Sequence, residues 1–323
     1  EEAHLTGEEI HRRLDEIEQI HAIYSPARLG LAAAIACCAF TFLLGGGPIE
    51  MILAFISAGI GNLIRTKLIK HHFTLFLNIA VSISASCFIY AALLKIAEMA
   101  FNVPSIHEAG YICSMLFIIP GFPFITSGID LAKLDLRSGL ERLAYAIIIV
   151  MVATMFAWIM ALLLQLKPMD FEDLNLTPVL HLILRLIMSF FGVFGFSIMF
   201  NSPASMAATA ALIGAIANSL RLELVDLTGM PAPAAAFAGA LTAGLLASFI
   251  KQNNGYPRIS LTVPSIVIMV PGLYLYRAIY NFGIMALSDA VSWFASAIMI
   301  IIALPLGLIF ARILTDKTFR YCT

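Results

Sequence analysis

The sequence predicts an all-α integral membrane protein of about ten transmembrane helices, arranged as two inverted five-helix repeats. Apolar residues make up 61% of the 323 residues and charged residues only 12%. In an average soluble domain the apolar share is roughly 45–50% even with glycine included. The charges are separated by apolar runs that approach the roughly 20 residues a spanning helix needs. A third observation, an internal duplication, predicts how the two halves are oriented.

An amphipathic lead helix is predicted within residues 1–27. Thr6-Gly7-Glu8-Glu9 has the pattern of a capping box. Ile10, Leu14 and Ile17 then recur at helical spacing among charged residues. Such a helix lies either on the membrane surface or against a soluble domain, and the sequence leaves both arrangements open.

Ten membrane spans come after the lead helix, the first five within residues 28–166 and the other five within residues 167–323. These two segments are the predicted membrane repeats. The predicted spans are 28–44, 49–66, 73–97, 108–130, 136–165, 178–200, 204–222, 232–250, 259–281 and 288–314.

The two halves share matching residues in the same order. Because each half has an odd number of helices, the second copy enters the membrane from the opposite side. Inverted repeats of this kind are typical of secondary transporters. The matches are Arg28-Leu29 with Arg185-Leu186, Phe40-Thr41 with Phe196-Ser197, Pro48 with Pro203, Asn62 to Arg65 with Asn218 to Arg221, and Pro120-Gly121 with Pro271-Gly272.

The distribution of basic residues predicts the topology. If the N-terminus is cytoplasmic, most of the 19 lysines and arginines fall on the cytoplasmic side, as the positive-inside rule requires. Both termini of this multi-pass protein are then cytoplasmic.

Predicted helices four and nine are interrupted near their midpoints by Pro120-Gly121 and Pro271-Gly272. Proline removes a backbone hydrogen bond and clashes with the preceding turn. In lipid, the freed backbone groups must find partners in protein, water or a ligand. The two breaks therefore predict a site for a small polar solute, and a packing kink is the alternative.

Polar and aromatic residues around the breaks complete the candidate substrate site. Asp130 is the candidate proton-coupling carboxylate, since a carboxyl near a low-dielectric site has a tunable pKa. Alternatively, Asp130 is an ordinary charged residue at the membrane interface. Arg277 either binds a substrate carboxylate or pairs with an acid such as Glu98 or Asp289. Asn62 is either a ligand or an interhelical hydrogen bond. The candidates are Asn62, Pro120, Gly121, Phe122, Thr126, Ser127, Asp130, Pro271, Gly272, Tyr274 and Arg277.

Several function classes lack support in the sequence. A net charge of −1 gives no basic field for nucleic acid, and the seven histidines form no metal-binding pair within a span. Phosphate-binding, dinucleotide and nucleophile-elbow motifs are absent from the sequence. We expect no metal, no cofactor and no catalytic residues. A channel or a non-transporting membrane scaffold stays open, as does a homo-oligomer formed through small-residue faces such as 234–239.

Motifs in both halves, taken in order, resemble the threonine/serine exporter family of bacterial membrane proteins. The second half resembles the smaller partner unit of that family, here fused to the first. The motifs of the first half are Tyr24-Ser25, Phe42 to Gly46, Gly61-Asn62, Pro120 to Asp130 and Ser138 to Arg142, and those of the second are Val263-Pro264 and Val270 to Gly272.

The resemblance implies proton-driven export of threonine and serine across the bacterial cytoplasmic (inner) membrane. Split relatives are associated with dicarboxylate export, so a succinate-like substrate is the alternative, with Arg277 or Arg185 binding the second carboxylate. The resemblance also implies a soluble segment ahead of the lead helix, most of which we expect this chain to lack.

Overall fold

The computed structural model describes residues 6–18, 23–101, 105–172, 174–254 and 257–320. Every regular element in these ranges is helical, which confirms the all-α fold class. Within the predicted lead segment, residues 1–5 and 19–22 lie outside the described ranges. The described part of that segment forms helix α1, Gly7–Glu18, which Thr6 caps by accepting the Glu9 N–H at 3.3 Å.

The first half contains five membrane-crossing elements, of which the fourth is broken. That broken helix has a first arm of 3₁₀ and α-helical turns and a second arm that is α-helical. In order, the elements are α2 Pro26–Leu43, α3 Pro48–Lys70, α4 Leu75–Phe101, the broken helix with 3₁₀ turns Ser105–Gly110 and Leu116–Ile118 around α5 Tyr111–Ser114 followed by α6 Gly121–Ala132, and α7 Leu136–Leu164.

The second half repeats this order, including a broken fourth element and a fifth element of 29 residues in both halves. Its elements are α8 Pro178–Met199, α9 Ala204–Thr228, α10 Ala232–Asn254, α11 Arg258–Ile266 with the 3₁₀ turn Val267–Met269, α12 Gly272–Gly283, α13 Leu287–Thr315 and the short α14 Lys317–Arg320.

The two broken helices each cross the full width of the molecule. Their bends of 54° and 43° deflect the chain without reversing it. In the first half, Glu108 accepts the Lys167 N–H just beyond the end of α7, while Asp130 pairs with Arg142 near its start. The broken helix therefore runs the whole length of α7. With the eight unbroken spans, the described residues contain up to ten candidate membrane crossings when each broken helix is counted as one span.

The first helices of the two halves lie side by side and antiparallel. At one end of α2, the Tyr24 hydroxyl donates to the Ser202 carbonyl beyond the end of α8, at 2.9 Å. At the other end, Phe42 packs edge-on against His181 in the first turns of α8. This arrangement confirms the inverted orientation of the repeats. The predicted boundaries at 27/28 and 166/167 stay predictions.

Two faces of the molecule lie at opposite ends of the helix bundle. The terminal face contains 23–25, 71–74, 133–135, 200–203 and 316–320, and the far face contains 44–47, the connecting residues 165–172 and 174–177, 229–231 and 284–286. Between these faces, the second arms α6 and α12 each pack against α7 and against α13. The repeats therefore interlock through their broken helices.

One predicted span is clearly too short. The seventh span was predicted to end at residue 222, whereas α9 continues to Thr228. Glu223 and Asp226 prolong the helix because both carboxylates pair with Arg185, which is only 8% exposed. A prediction from hydropathy ends a span at such charged residues. Here the two carboxylates can remain within the packed helix because they pair with Arg185.

Small residues in α10 serve packing inside the chain. Ala235, Ala236, Ala240 and Ala243 are completely buried, and α10 packs along α13 and α9. Close approach requires small side chains at such helix crossings. This face is therefore already occupied within one chain, and a homo-oligomer stays a prediction.

The contact between α2 and α8 predicts a stability effect. A Cβ atom on Gly195 would lie 2.6 Å from the Ala32 carbonyl oxygen, whereas one on Gly192 would meet only ordinary contacts of 3.5 Å and more. We expect Gly195→Ala to destabilise the protein by about 1–3 kcal/mol through overpacking. Gly192→Ala is the matched control and should be neutral or stabilising, because alanine favours a helix. Thermal unfolding in detergent measures both, and equal unfolding temperatures would contradict the expectation.

Candidate functional site

The two helix breaks have the same backbone geometry. Pro120 has φ −81° and ψ 61°, and Pro271 has φ −81° and ψ 55°. In each break the following glycine donates its N–H to the carbonyl of the residue before the proline, at 2.8 Å. These values describe an inverse γ-turn, which the fixed φ of proline favours. Each Pro-Gly pair therefore ends one half-helix and starts the next.

The breaks pack against each other at the centre of the molecule. A Cβ atom on Gly121 would lie 2.7 Å from Val267, and one on Gly272 would lie 2.9 Å from Leu116. Apolar side chains from both halves leave a cavity of about 10 Å³ between the breaks, which is room for at most about one water molecule. The centre is therefore closed and apolar.

The polar candidates near the first break do not surround this centre. Thr126 and Ser127 donate their hydroxyls to carbonyls of their own helix, Phe122 at 3.0 Å and Phe124 at 2.9 Å. Asn62 donates to the Leu29 carbonyl at 2.9 Å. This bond joins α3 to α2 and matches the interhelical alternative. The Phe122 ring packs edge-on against Phe200.

Asp130 lies at the terminal-face end of α6. Its carboxylate forms a salt bridge of 2.9 Å with Arg142, and its side chain is 18% exposed. This position matches the interfacial alternative, far from the packed breaks. A role in proton coupling stays a prediction.

A cavity of about 480 Å³ opens on the far face. Its walls come from the loop that joins the two halves, including Asp170 and Phe171, and from the start of α8 at His181. Its floor includes Leu273, the residue after the second break, and Arg277 one turn further. The cavity therefore extends from the far face to the first turns of α12, which follow the second break.

Arg277 is the charged group at the floor of this cavity. It is 9% exposed, and its Nη2 donates to Asp170 Oδ1 at 2.7 Å and to the Met169 carbonyl at 3.2 Å. The guanidinium lies 4.8 Å from the Trp293 ring centroid, and Tyr274 packs edge-on against the same ring. Among the described residues, Arg277 Nε has no hydrogen-bond partner.

The guanidinium of Arg277 therefore keeps donors for a bound carboxylate, since arginine presents five N–H groups in a fixed fork. Internal pairing also occurs, but the acid is Asp170 rather than Glu98 or Asp289. Glu98 pairs instead with Lys95 at 3.0 Å. The sequence did not indicate Asp170 because the loop that carries it folds back over α12.

Arg185 belongs to a separate charged group in the far half of the second repeat. Its guanidinium pairs with Glu223 at 2.7 Å and also with Asp226. Two carboxylates thus compensate its single charge, which leaves little attraction for a second substrate carboxylate. The spacing of Glu223 and Asp226, three residues apart on one helix, was the sequence signal for this pairing.

A larger cavity of about 860 Å³ opens on the terminal face, between α6, α10, α11 and α13. Four basic residues line it, namely Lys133, Arg258, Arg312 and Lys317, with Asp316 as an acid among them. Arg258 is anchored by donating to Thr315 Oγ1 at 3.0 Å. The sequence places these cations on one side of the membrane but does not indicate that they enclose a common space.

Comparison with known proteins identifies both halves. The model of a family described as "Putative threonine/serine exporter" matches residues 1–165, and one described as "Threonine/Serine exporter, ThrE" matches residues 185–314. Two curated relatives, from Escherichia coli (strain K12) and Klebsiella aerogenes, are both named "Probable succinate transporter subunit YjjP".

The E. coli protein is 28% identical over 153 residues, which cover 47% of this chain and 57% of that protein. The Klebsiella protein is 25% identical over 158 residues, covering 49% and 58% respectively. The chain thus spans little more than half the length of these relatives. No solved structure matches. Since the first family model alone covers half of the sequence and the second follows it in the other repeat, the chain belongs to the threonine/serine exporter family.

Proposed function

We propose that this membrane exporter is a proton-coupled secondary transporter of threonine and serine, acting in the bacterial cytoplasmic membrane. The observation that carries the proposal is the Arg277–Asp170 pair at the floor of the far-face cavity, 2.7 Å apart. An amino acid carries a carboxylate and an ammonium group on adjacent positions. Arg277 binds the carboxylate, and Asp170 binds the ammonium group.

The charge of the far-face cavity favours a zwitterion over a dianion. Its ionisable side chains among the described residues are Arg277, Asp170, Glu172 and His181. Two of these side chains are acids, and one is an arginine. A zwitterion satisfies both signs at once, whereas a dicarboxylate meets like charges in the same space.

The two cavities and the closed centre support alternating access. The far-face and terminal-face cavities lie on opposite sides of the packed breaks. Inverted repeats alternate between two such arrangements around one site near the midplane. The basic residues of the terminal face orient it to the cytoplasm by the positive-inside rule, so the far-face cavity is the exit. Asp130 is the proposed proton-linked carboxylate of the cytoplasmic side.

Purified protein in liposomes tests the proposal. Vesicles loaded with labelled threonine are diluted into buffers with and without a pH gradient, and efflux is measured. Gradient-dependent efflux is expected, together with exchange of threonine at equal pH. Efflux that ignores the gradient in the wild-type protein would contradict proton coupling.

Asp130→Asn is expected to lose the gradient dependence and to keep exchange. Asp135→Asn is the matched control, at the start of the next helix on the same terminal face. Hydrogen bonds from the Ser138 hydroxyl and amide lower the pKa of the Asp135 carboxyl, so Asp135 stays ionised at neutral pH and takes up no protons there. Asparagine also preserves the helix cap of α7 that Asp135 provides. Equal gradient responses in both variants would remove Asp130 from the mechanism.

Export of a succinate-like dicarboxylate is the second candidate. Two observations favour it: the names of the curated relatives, and the four basic residues that line the terminal-face cavity. Competition distinguishes the candidates. Unlabelled serine should suppress exchange of labelled threonine, and succinate should not. Suppression by succinate without suppression by serine reverses the assignment.

A further inference from the structure

We propose that Glu50 and His107 form a proton-binding pair on the far-face side of the transporter, an inference that rests on the proposed proton coupling. Glu50 lies in the first turn of α3, and His107 lies in the 3₁₀ turn that opens the broken fourth helix. The Nδ1 atom of His107 is 2.6 Å from Glu50 Oε1, and the side chains are only 15% and 5% exposed.

The surroundings of the pair hold both side chains in place. Glu50 Oε2 accepts the Gly47 N–H at 3.0 Å, and the Tyr90 hydroxyl donates to the His107 carbonyl at 2.7 Å. In the bond to Gly47, Glu50 is the N3 residue of a capping box, a role that a neutral glutamine can also fill. A buried carboxylate against an imidazole is costly for stability. A pair kept at such a cost beside the far face points to a function other than stability.

The pair balances charge by taking up one proton. With neutral imidazole the pair carries the single negative charge of Glu50, and with imidazolium it is an internal ion pair with no net charge. Histidine changes protonation most readily near neutral pH, and the Glu50 carboxylate, 2.6 Å away, compensates the positive charge of an imidazolium. Other ionisable groups face this region: Tyr90 from α4, Cys113 from α5, and Glu108, which accepts the Lys167 N–H at 3.3 Å.

A short chain of contacts connects the pair to the proposed substrate site. Tyr111 follows His107 by about one turn, and its hydroxyl lies 2.6 Å from that of Tyr276 in α12. Tyr276 is the neighbour of Arg277 in the chain. Protonation of the Glu50–His107 pair thus affects the first arm of the fourth helix. That arm contacts α12, the helix that carries Arg277.

The second repeat has no equivalent pair. Alignment through Pro48 and Pro203 places Ser205 opposite Glu50, and alignment through the Pro-Gly breaks places Arg258 opposite His107. The inverted partner of this site therefore lies on the terminal face without a Glu–His pair. Proton binding by a Glu–His pair is therefore confined to the far face.

Glu50→Gln and His107→Gln test the inference in liposomes, with Glu108→Gln as the control for a neighbouring acid. The gradient response of net threonine efflux should fall about tenfold in the first two variants, in the usual range of coupling between two ligands. Exchange of threonine at equal pH should stay within about twofold in the same variants. Glu108→Gln should match the wild type in both assays. Glu50→Asp keeps the charge and should retain the gradient response.

The outcomes separate this inference from the proposed function. A wild-type protein that ignores the gradient overturns the proposed coupling and the pair with it. A coupled wild type whose Glu50→Gln and His107→Gln variants respond equally overturns the pair alone. If Glu50→Gln and His107→Gln lose threonine exchange as well as the gradient response, the pair has a structural role only. That result also overturns the inference that the pair binds a proton. Thermal unfolding of each variant in detergent identifies that last case.

Discussion

Replacing Arg277 by glutamine is expected to reduce threonine exchange by about 100-fold or more, because a buried charge that binds a substrate charge contributes roughly 2–5 kcal/mol. Lysine at this position keeps the charge but loses the planar fork. Arg277→Lys should therefore retain part of the activity, with weaker threonine binding. Exchange measured over a range of threonine concentrations gives both quantities.

The reduced exchange of Arg277→Gln is expected to come from weaker substrate binding and not from impaired folding. The partner of Arg277, Asp170, has an 89% exposed side chain. Water therefore solvates the Asp170 carboxylate when the arginine is removed, and no buried charge is left without a partner. Arg137→Gln is the control, since Arg137 forms an exposed pair with Glu141 and such pairs contribute little. Exchange by Arg277→Gln within about twofold of the wild type would remove the far-face cavity as the substrate site.

The second large effect is expected at the packed centre. Gly272→Val places branched carbon atoms where even a single added Cβ would lie 2.9 Å from Leu116. We expect this change to abolish threonine exchange, because the two breaks can no longer close against each other between the two access states. A folding cost of about 1–3 kcal/mol accompanies it.

A second change should reverse this effect. Leu116→Ala removes the side chain that the new valine meets, so the double variant Gly272→Val with Leu116→Ala should regain exchange. Leu116→Ala alone is the reference for the cavity it creates. Exchange measured in parallel with thermal unfolding separates transport from stability. Normal exchange by Gly272→Val alone would show that the breaks do not need to close.

Much of the fold could be predicted because it depends on local chemistry. Long apolar runs predicted the ten crossings, and Pro-Gly pairs predicted the two breaks, since proline cannot continue a helix hydrogen-bond ladder. The sequence predicted a site at the two breaks, and the structure packs these breaks against each other. The seventh span was predicted too short because Glu223 and Asp226 mark a membrane boundary when their partner is unknown.

The candidate site was harder to predict than the fold. Arg277 was selected from its position after the second break, yet Glu98 and Asp289 were considered as its partners instead of Asp170. Glu50 and His107 were not selected at all. Each lies near the end of an apolar run, where a charged residue ordinarily marks the membrane surface.

The sequence by itself determined the membrane class, the inverted duplication and the position of the breaks, since each follows from composition or from the chemistry of one or two adjacent residues. Only the tertiary structure decided which charges meet. Arg277 and Asp170 are 107 residues apart in the chain, and Glu50 and His107 are 57 residues apart. Their pairing depends on the rotation of packed helices and on a loop that folds back over the far face. No local pattern specifies that geometry. Several faces of a helix are compatible with its local sequence, and only packing against neighbouring helices decides which face is buried.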